Sequence, residues 1–310
     1  MARVLKILIA SLILFMPHVG AWAQMPIKLQ VAPQVDPDSV DLAYYGKKHF
    51  WRAAGTVVGF NIGLWAFDRY VQNGDFARIS LHSVKENFKH GFKWDNDKLG
   101  TNMFLRPYNG NLFYNAARSN GYNYWQSGLF AIGGSAMWEM FMECEYPSTN
   151  DIIATPIGGM AIGEVCYRAS DAVLDDRTTG GERVRREVAA FLISPMRGLT
   201  RIINGDAWRK RSTTGRQFGT PSVAMEFSAG IRGLEFENEV YDSSLGFSMQ
   251  FNLEYGDRFE VKSSRPYDYF RVRADINIVN SQPLLGQLDI TGRLIARELL
   301  EKERSHMSIG

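Results

Sequence analysis

The chain has 310 residues, enough for two structural regions, and 45% of them are hydrophobic, so a large core or a wide apolar surface can be built. With 35 basic and 33 acidic side chains the net charge is +2, which excludes nucleic acid as the default partner, because phosphate binding needs a concentrated basic face. Aromatic residues make up 13%, which suits an interface, a barrel girdle or a large core.

Arg3 and Lys6 precede an apolar run from Ile7 to Met16, and Ala21-Trp22-Ala23 gives a small-x-small cleavage pattern. Residues 1–23 are therefore expected to be a secretory signal peptide. The apolar run is shorter than the ~20 residues of a spanning helix. Residues 24–45, with Pro26, Pro33 and Pro37, read as an extended linker. Residues 46–217 then read as a helical domain and 218–310 as a strand region.

Phe50 to Val71 is apolar, and Gly55, Gly59 and Gly63 recur every four residues. That spacing makes a smooth helix face on which another helix can pack closely, and a buried core helix is expected. Residues 75–100 are polar. His82 and His90, eight apart, do not match the i, i+4 pattern of metal pairs and read as surface or packing residues. Phe88, Phe92 and Trp94 suggest partial burial. Pro107 and Asn109-Gly110 signal a turn, followed by a short helix from Leu112 to Arg118. The many Asn and Tyr side chains between Asn102 and Tyr124 fit either a structured loop or a polar cavity lining.

Trp125 to Met142 reads as the next apolar helix, with a small-residue face at Gly128, Gly133 and Gly134. A loop follows at 147–151, and Thr155-Pro156 is a good helix start, since Thr caps and Pro suits the first turn. Gly158, Gly159 and Gly163 again permit close approach, so three Gly-rich helices are expected to form one bundle. In such a hairpin Cys166 lies ~15 Å along the axis from Pro156. A disulfide to Cys144 needs Cα atoms within ~7 Å, so two buried free thiols are favoured. Residues 171–217 are charged: Glu182–Ile193 reads as an amphipathic helix and Pro195–Gly205 as a shorter one. Their arginines are expected on a solvated face, with anionic lipid headgroups as the alternative.

From Ser222 the apolar period becomes two. Val223 to Ile231, Leu245 to Tyr255, Phe270 to Ile278 and Leu288 to Ala296 each alternate apolar with polar, often ionic, residues. Lengths near ten residues match transmembrane β-strands, which need ~9–11. Only four or five strands can be counted, whereas an isolated bacterial barrel has at least ~8. The chain is then a fragment or shortened variant, or the sheet is completed by another copy, or it is not a barrel.

Glu139 and Glu143 share one helix face, as do Glu164 and Arg168. Glu139 lies eight residues before Pro147 and Glu164 eight after Pro156, so both are ~12 Å from the loop and are expected at one level, with Arg118 nearby. A carboxylate in an apolar helix needs a partner. One reading is a buried network that fixes helix register. The other is an acid/base or cation site, in which paired carboxylates push one pKa up. Asn150, Asp151 and Thr155 read as loop and capping residues. No metal-spaced histidines and no phosphate loop are present, and no cofactor is expected.

The segments NLFYNAARSNG and WQSGLFAIGGSAMWEMFMECEYPSTNDIIATPIGGMAIGEVCYR resemble a bacterial exported family known only as domain of unknown function 3943. The resemblance covers roughly residues 85–200. It rests on Tyr-x-Asn-Ala-x-Arg-Ser-Asn-Gly, Trp-Glu, Ser-x-Asn-Asp and Gly-Gly-x-x-x-Gly-Glu. It implies a strand-rich, barrel-like tail, often longer than here. The family's pattern often carries His where this chain has Asn109, and that departure weakens any proposal that the turn supplies a general base. The family has no established activity.

The expectation is an α+β protein: a Gly-rich helical bundle followed by an antiparallel β-meander that is part of an outer-membrane β-barrel. Its expected role is structural or transport-related, with the helices as plug or cap. Membrane lipid is the expected partner, with self-association to complete the sheet. The competing readings are a lipid-acting envelope enzyme using the Glu/Glu/Arg cluster and a soluble periplasmic binding protein.

Overall fold

The structure, a computed structural model, describes residues 27–29, 46–94, 100–234, 244–259, 265–279, 283–302 and 305–309. The expected signal peptide and most of the expected linker lie outside them. The helices are α1 (Phe50–Tyr70), α2 (Leu81–His90), α3 (Arg106–Arg118), α4 (Tyr124–Phe141), α5 (Thr149–Val173), α6 (Gly180–Ile193) and α7 (Pro195–Asn204). An antiparallel meander follows: β2 (Val223–Leu234), β3 (Ser244–Tyr255), β4 (Phe270–Ile278) and β5 (Leu285–Gly292). The three-residue β1 (Ile27–Leu29), inside the expected linker, pairs with β2, while β6 (Arg297–Lys302) and β7 (Ser305–Ile309) form a separate hairpin. The fold is α+β, and among the described residues the sheet does not close on itself. No helix among them is long and apolar enough to cross a membrane.

Two element boundaries differ from the sequence signals. Pro107 and Asn109-Gly110 do not make a turn: α3 starts at Arg106 and carries Pro107 in its first turn, where a missing N–H costs nothing. Thr155-Pro156 does not start a helix either. Ser148 is the N-cap, its hydroxyl accepting from the Asp151 amide at 3.2 Å, and α5 runs through Pro156. Tertiary contact overrides the local penalty of the proline, because α3 and α5 meet backbone to backbone at this level. A Cβ on Gly110 would stand 1.8 Å from the Thr155 carbonyl oxygen, and one on Gly159 would stand 2.3 Å from the Gly110 carbonyl carbon.

The helix read as short is thus the centre of the bundle, with Gly110 to Ala117 buried throughout. Its asparagines do not line a loop. Asn115 donates to Asn111 at 2.6 Å and to the Gly163 carbonyl at 3.1 Å, and Asn120 donates to the Ala116 carbonyl at 2.8 Å. Gly134 of α4 receives the Phe113 ring and Gly163 of α5 the Tyr114 ring. The glycines of α1 behave differently: at Gly55, Gly59 and Gly63 an added Cβ would meet nothing within 4 Å. This stripe, expected to seat a helix, faces open space. Phe88 and Trp94, expected to be partly buried, are exposed, as are His82 and His90.

The core runs from the bundle into one end of the sheet. Tyr114, Phe113 and Tyr124 share it with Tyr255, Tyr267 and Phe270, and Val223, Leu253, Val272 and Ile290 pack against it. Tyr255 and Phe270 stack with centroids 4.6 Å apart. Register places apolar residues on one face along the whole meander, as in the rung Phe227–Phe251–Ala274–Leu288. The opposite face carries rungs such as Glu226–Asn252–Arg273–Asp289. The alternation expected to run to Ala296 stops with β5 at Gly292. Beyond the end covered by the bundle, Met225, Phe227, Ile231, Phe247, Ile278 and Leu288 are exposed.

The two kinds of glycine predict opposite effects. Gly159→Ala should destabilise by ~1–3 kcal/mol through overpacking, whereas Gly63→Ala should stabilise by up to ~1 kcal/mol through helix propensity. Chemical denaturation of both variants measures this, and equal midpoints would contradict the packing described.

Candidate functional site

The residues singled out by sequence fall into two clusters rather than one. Because α5 starts at Thr149, Glu164 lies fifteen residues into it, ~22 Å from its start. Asp151, in the first turn, takes the place opposite Glu139 that had been expected for Glu164.

The first cluster surrounds Glu164, which has no exposure. Its Oε2 accepts from Arg118 Nε at 2.8 Å and from the Tyr114 hydroxyl at 2.6 Å. Its Oε1 accepts from Arg168 Nε at 2.9 Å and Arg118 Nη2 at 3.1 Å. Burial by itself would raise this carboxyl's pKa, but Arg118, then Arg168, and the hydrogen bonds from Arg118 and Tyr114 hold it below the usual range. Arg168 also donates to the Pro266 carbonyl at 2.7 Å in the β3–β4 connection, and its guanidinium lies 3.9 Å from the Phe218 ring centroid. Arg118 donates to the Tyr122 carbonyl at 3.0 Å.

The second cluster gathers three carboxylates around Arg106. Arg106 lies 3.2 Å from Glu139, 3.5 Å from Glu143 and 2.6 Å from Asp151. Glu139 also accepts from the Ser148 amide at 2.9 Å, and Glu143 accepts from the Trp138 indole. Burial, followed by the Glu143 charge, raises the Glu139 pKa to about 8 against the pull of Arg106. The upward shift thus falls on Glu139, with Glu143 rather than Glu164 as the neighbouring carboxylate. Asp151 is a buried partner of Arg106 in addition to its place in the capped first turn. Thr155 is buried in mid-helix, and Asn150 lies in the first turn of α5.

A third cluster lies where solvated arginines were expected. Asp176 is 3.0 Å from Arg183 and 2.6 Å from Arg201, and Glu187 is 3.0 and 2.8 Å from the same two guanidinium groups. Asp206 pairs with Arg211 at 3.0 Å. Asp171 pairs with Arg197 and accepts the Gln217 amide at 2.9 Å, which ties the segment entering the sheet to α5. Arg183 and Glu187, like Arg197 and Arg201, are four residues apart, and that spacing was the signal that they share inward faces. Helix α6 is therefore inverted: Arg183 is buried while Val184, Val188 and Leu192 are exposed. Arg106 was also missed, because the segment before Leu112 read as a turn, and Tyr114, inside the expected helix, read only as part of a polar lining.

Chemically, the Glu164 cluster is a charge-compensated clamp. The Arg106 cluster can hold a proton near neutral pH, on a carboxyl 2% exposed. No group of three or more His, Cys, Asp or Glu residues suited to a metal ion is found among the described residues. Cys144 and Cys166 are free thiols, as their spacing favours, but both are part-buried rather than buried.

Glu164→Gln should cost ~3–5 kcal/mol in denaturation experiments, because two buried guanidinium groups lose their counter-charge. An intact midpoint would sink the clamp. For Glu139 the folded pKa lies above the unfolded one, so its contribution is full in acid and is lost as pH rises from 4.5 to about 8. Glu139→Gln should flatten that decline, and parallel stability–pH curves for the two proteins would contradict the shift.

No curated protein and no solved structure matches this chain. A family model described as Domain of unknown function (DUF3943) matches residues 91–196, which include α3 to α6 and both of the first two clusters. Over residues 91–196 the chain is similar to that family.

Proposed function

We propose that this chain is an exported, non-enzymatic envelope protein whose sheet presents its apolar face to outer-membrane lipid, in a structural or transport-related role. The observation that carries the reading is the two-faced sheet. Phe227, Ile231, Phe247 and Ile278 stand exposed on one face, while Glu226, Arg273, Asp275 and Asp289 share the other. A soluble sheet would cover such a face, whereas a lipid-facing strand needs it and turns its ionic residues inward. The helices meet the sheet through Tyr255 and Phe270, residues of the apolar face, at one end. That position suits a cap at the rim rather than a plug among the ionic residues. The open edges at β1 and β5 call for further strands, supplied by self-association with a second copy.

The enzyme reading has one supporting feature, the raised pKa of Glu139. Burial and the neighbouring Glu143 charge account for that pKa, while Arg106 and the Ser148 amide hold the carboxylate in place.

Phe227→Arg and Ser228→Arg separate the two faces. In cells, fractionation and heat-modifiable gel mobility should show Phe227→Arg failing to assemble in the outer membrane, since Arg on a lipid face costs ~2–4 kcal/mol near the midplane. Ser228→Arg should assemble. Recovery of the unmodified protein in the soluble periplasm would overturn the proposal.

A further inference from the structure

The open glycine stripe of α1 forms one wall of a groove. Gly55, Gly59 and Gly63 face Met196, Leu199 and Ile203 of α7 across a space of about 750 Å³. It runs from Arg52 to Phe67, ~22 Å along the helix, and its size falls in the ~300–1,000 Å³ range of small-molecule sites. At one end the groove meets a small polar pocket of about 40 Å³, and Arg52, Asn120, Thr200 and Asn204 belong to both. Arg52 donates to the Asn204 side chain at this junction, linking α1 to α7.

The pocket is basic. Lys47 and Arg52 border it, while the Arg197 and Arg201 guanidinium groups in its lining are already paired with Asp171, Asp176 and Glu187. His49 reports the same field: after burial, the charges of Arg52 and Lys47 lower its pKa. A further feature points to a ligand. Asn120 is only 2% exposed, its amide nitrogen donates to the Ala116 carbonyl, and its Oδ1 has no partner among the described residues. A buried amide oxygen left unpaired is costly, and a donor at the groove mouth would satisfy it.

We propose that this site binds a single-chain anionic amphiphile, its acyl chain against the glycine face of α1 and its charged head at Lys47, His49 and Arg52. The glycines give the chain a smooth floor, and the basic mouth selects the negative head. Long-chain carboxylates and lysophospholipids share this chemistry. A lysophospholipid adds a free glycerol hydroxyl of the kind that the Asn120 oxygen can accept.

The test uses the purified full chain and radiolabelled palmitate, lysophosphatidylglycerol and hexadecanol. Palmitate or lysophosphatidylglycerol should bind saturably, and at least tenfold more tightly than hexadecanol; the tighter of the two identifies the source of the head. Gly59→Leu fills space where no neighbour stands within 4 Å, so it should fold and weaken binding at least tenfold. Lys47→Gln should weaken binding of the anions several-fold and leave hexadecanol unchanged, with circular dichroism confirming the fold of both variants. Absence of saturable binding to the unmodified protein, undiminished binding by folded Gly59→Leu, or equal affinity for hexadecanol would each overturn the proposal.

Discussion

Glu164 is the charge around which the two regions are joined. A carboxylate with no exposure is tolerated only when its oxygens are filled, and this one accepts from Arg118, Arg168 and Tyr114. Those donors come from α3 and α5, so the ion pairs fix how the two helices lie against each other. Arg168 extends the constraint by holding the Pro266 carbonyl, beside the Tyr267 ring that stacks on Tyr124 with centroids 5.7 Å apart. The carboxylate, through one guanidinium, thereby positions the end of the sheet on the bundle.

Close packing of α3 and α5 makes that geometry available. Gly110 and Gly159 let the two backbones touch, and Gly163 leaves room for the Tyr114 ring whose hydroxyl reaches Glu164. Buried asparagines then bond carbonyls of the same or neighbouring helices, as Asn115 does with Gly163 and Asn61 with Gly134. The α1 glycines are equally regular in sequence yet touch nothing within 4 Å. Spacing marks a smooth face, and only the arrangement of other helices decides whether the face is filled.

Charge follows a similar logic in α6 and α7. Arg183 and Arg201 are drawn inward by Asp176 and Glu187, which leaves Val184, Leu192 and Ile203 at the surface. The apolar face of the sheet is likewise uncovered beyond the bundle.

The sequence by itself determined the class of the fold, four of the strands with their two-faced pattern, and most helix positions, because periodicity and turn chemistry act locally. It also named Glu164, Arg118 and Arg168 as partners, since a charge in an apolar helix must be compensated. Tertiary structure alone decided that Glu139 pairs with Arg106 and Asp151, because the helix start at Thr149 depends on packing that carries α5 through Pro156. It alone decided which arginines are buried, because pairing across distant segments, such as Arg201 with Asp176, leaves little trace in local spacing. Whether a glycine stripe is a contact or a groove was decided there too, because that depends on which residues far away in the chain stand opposite it.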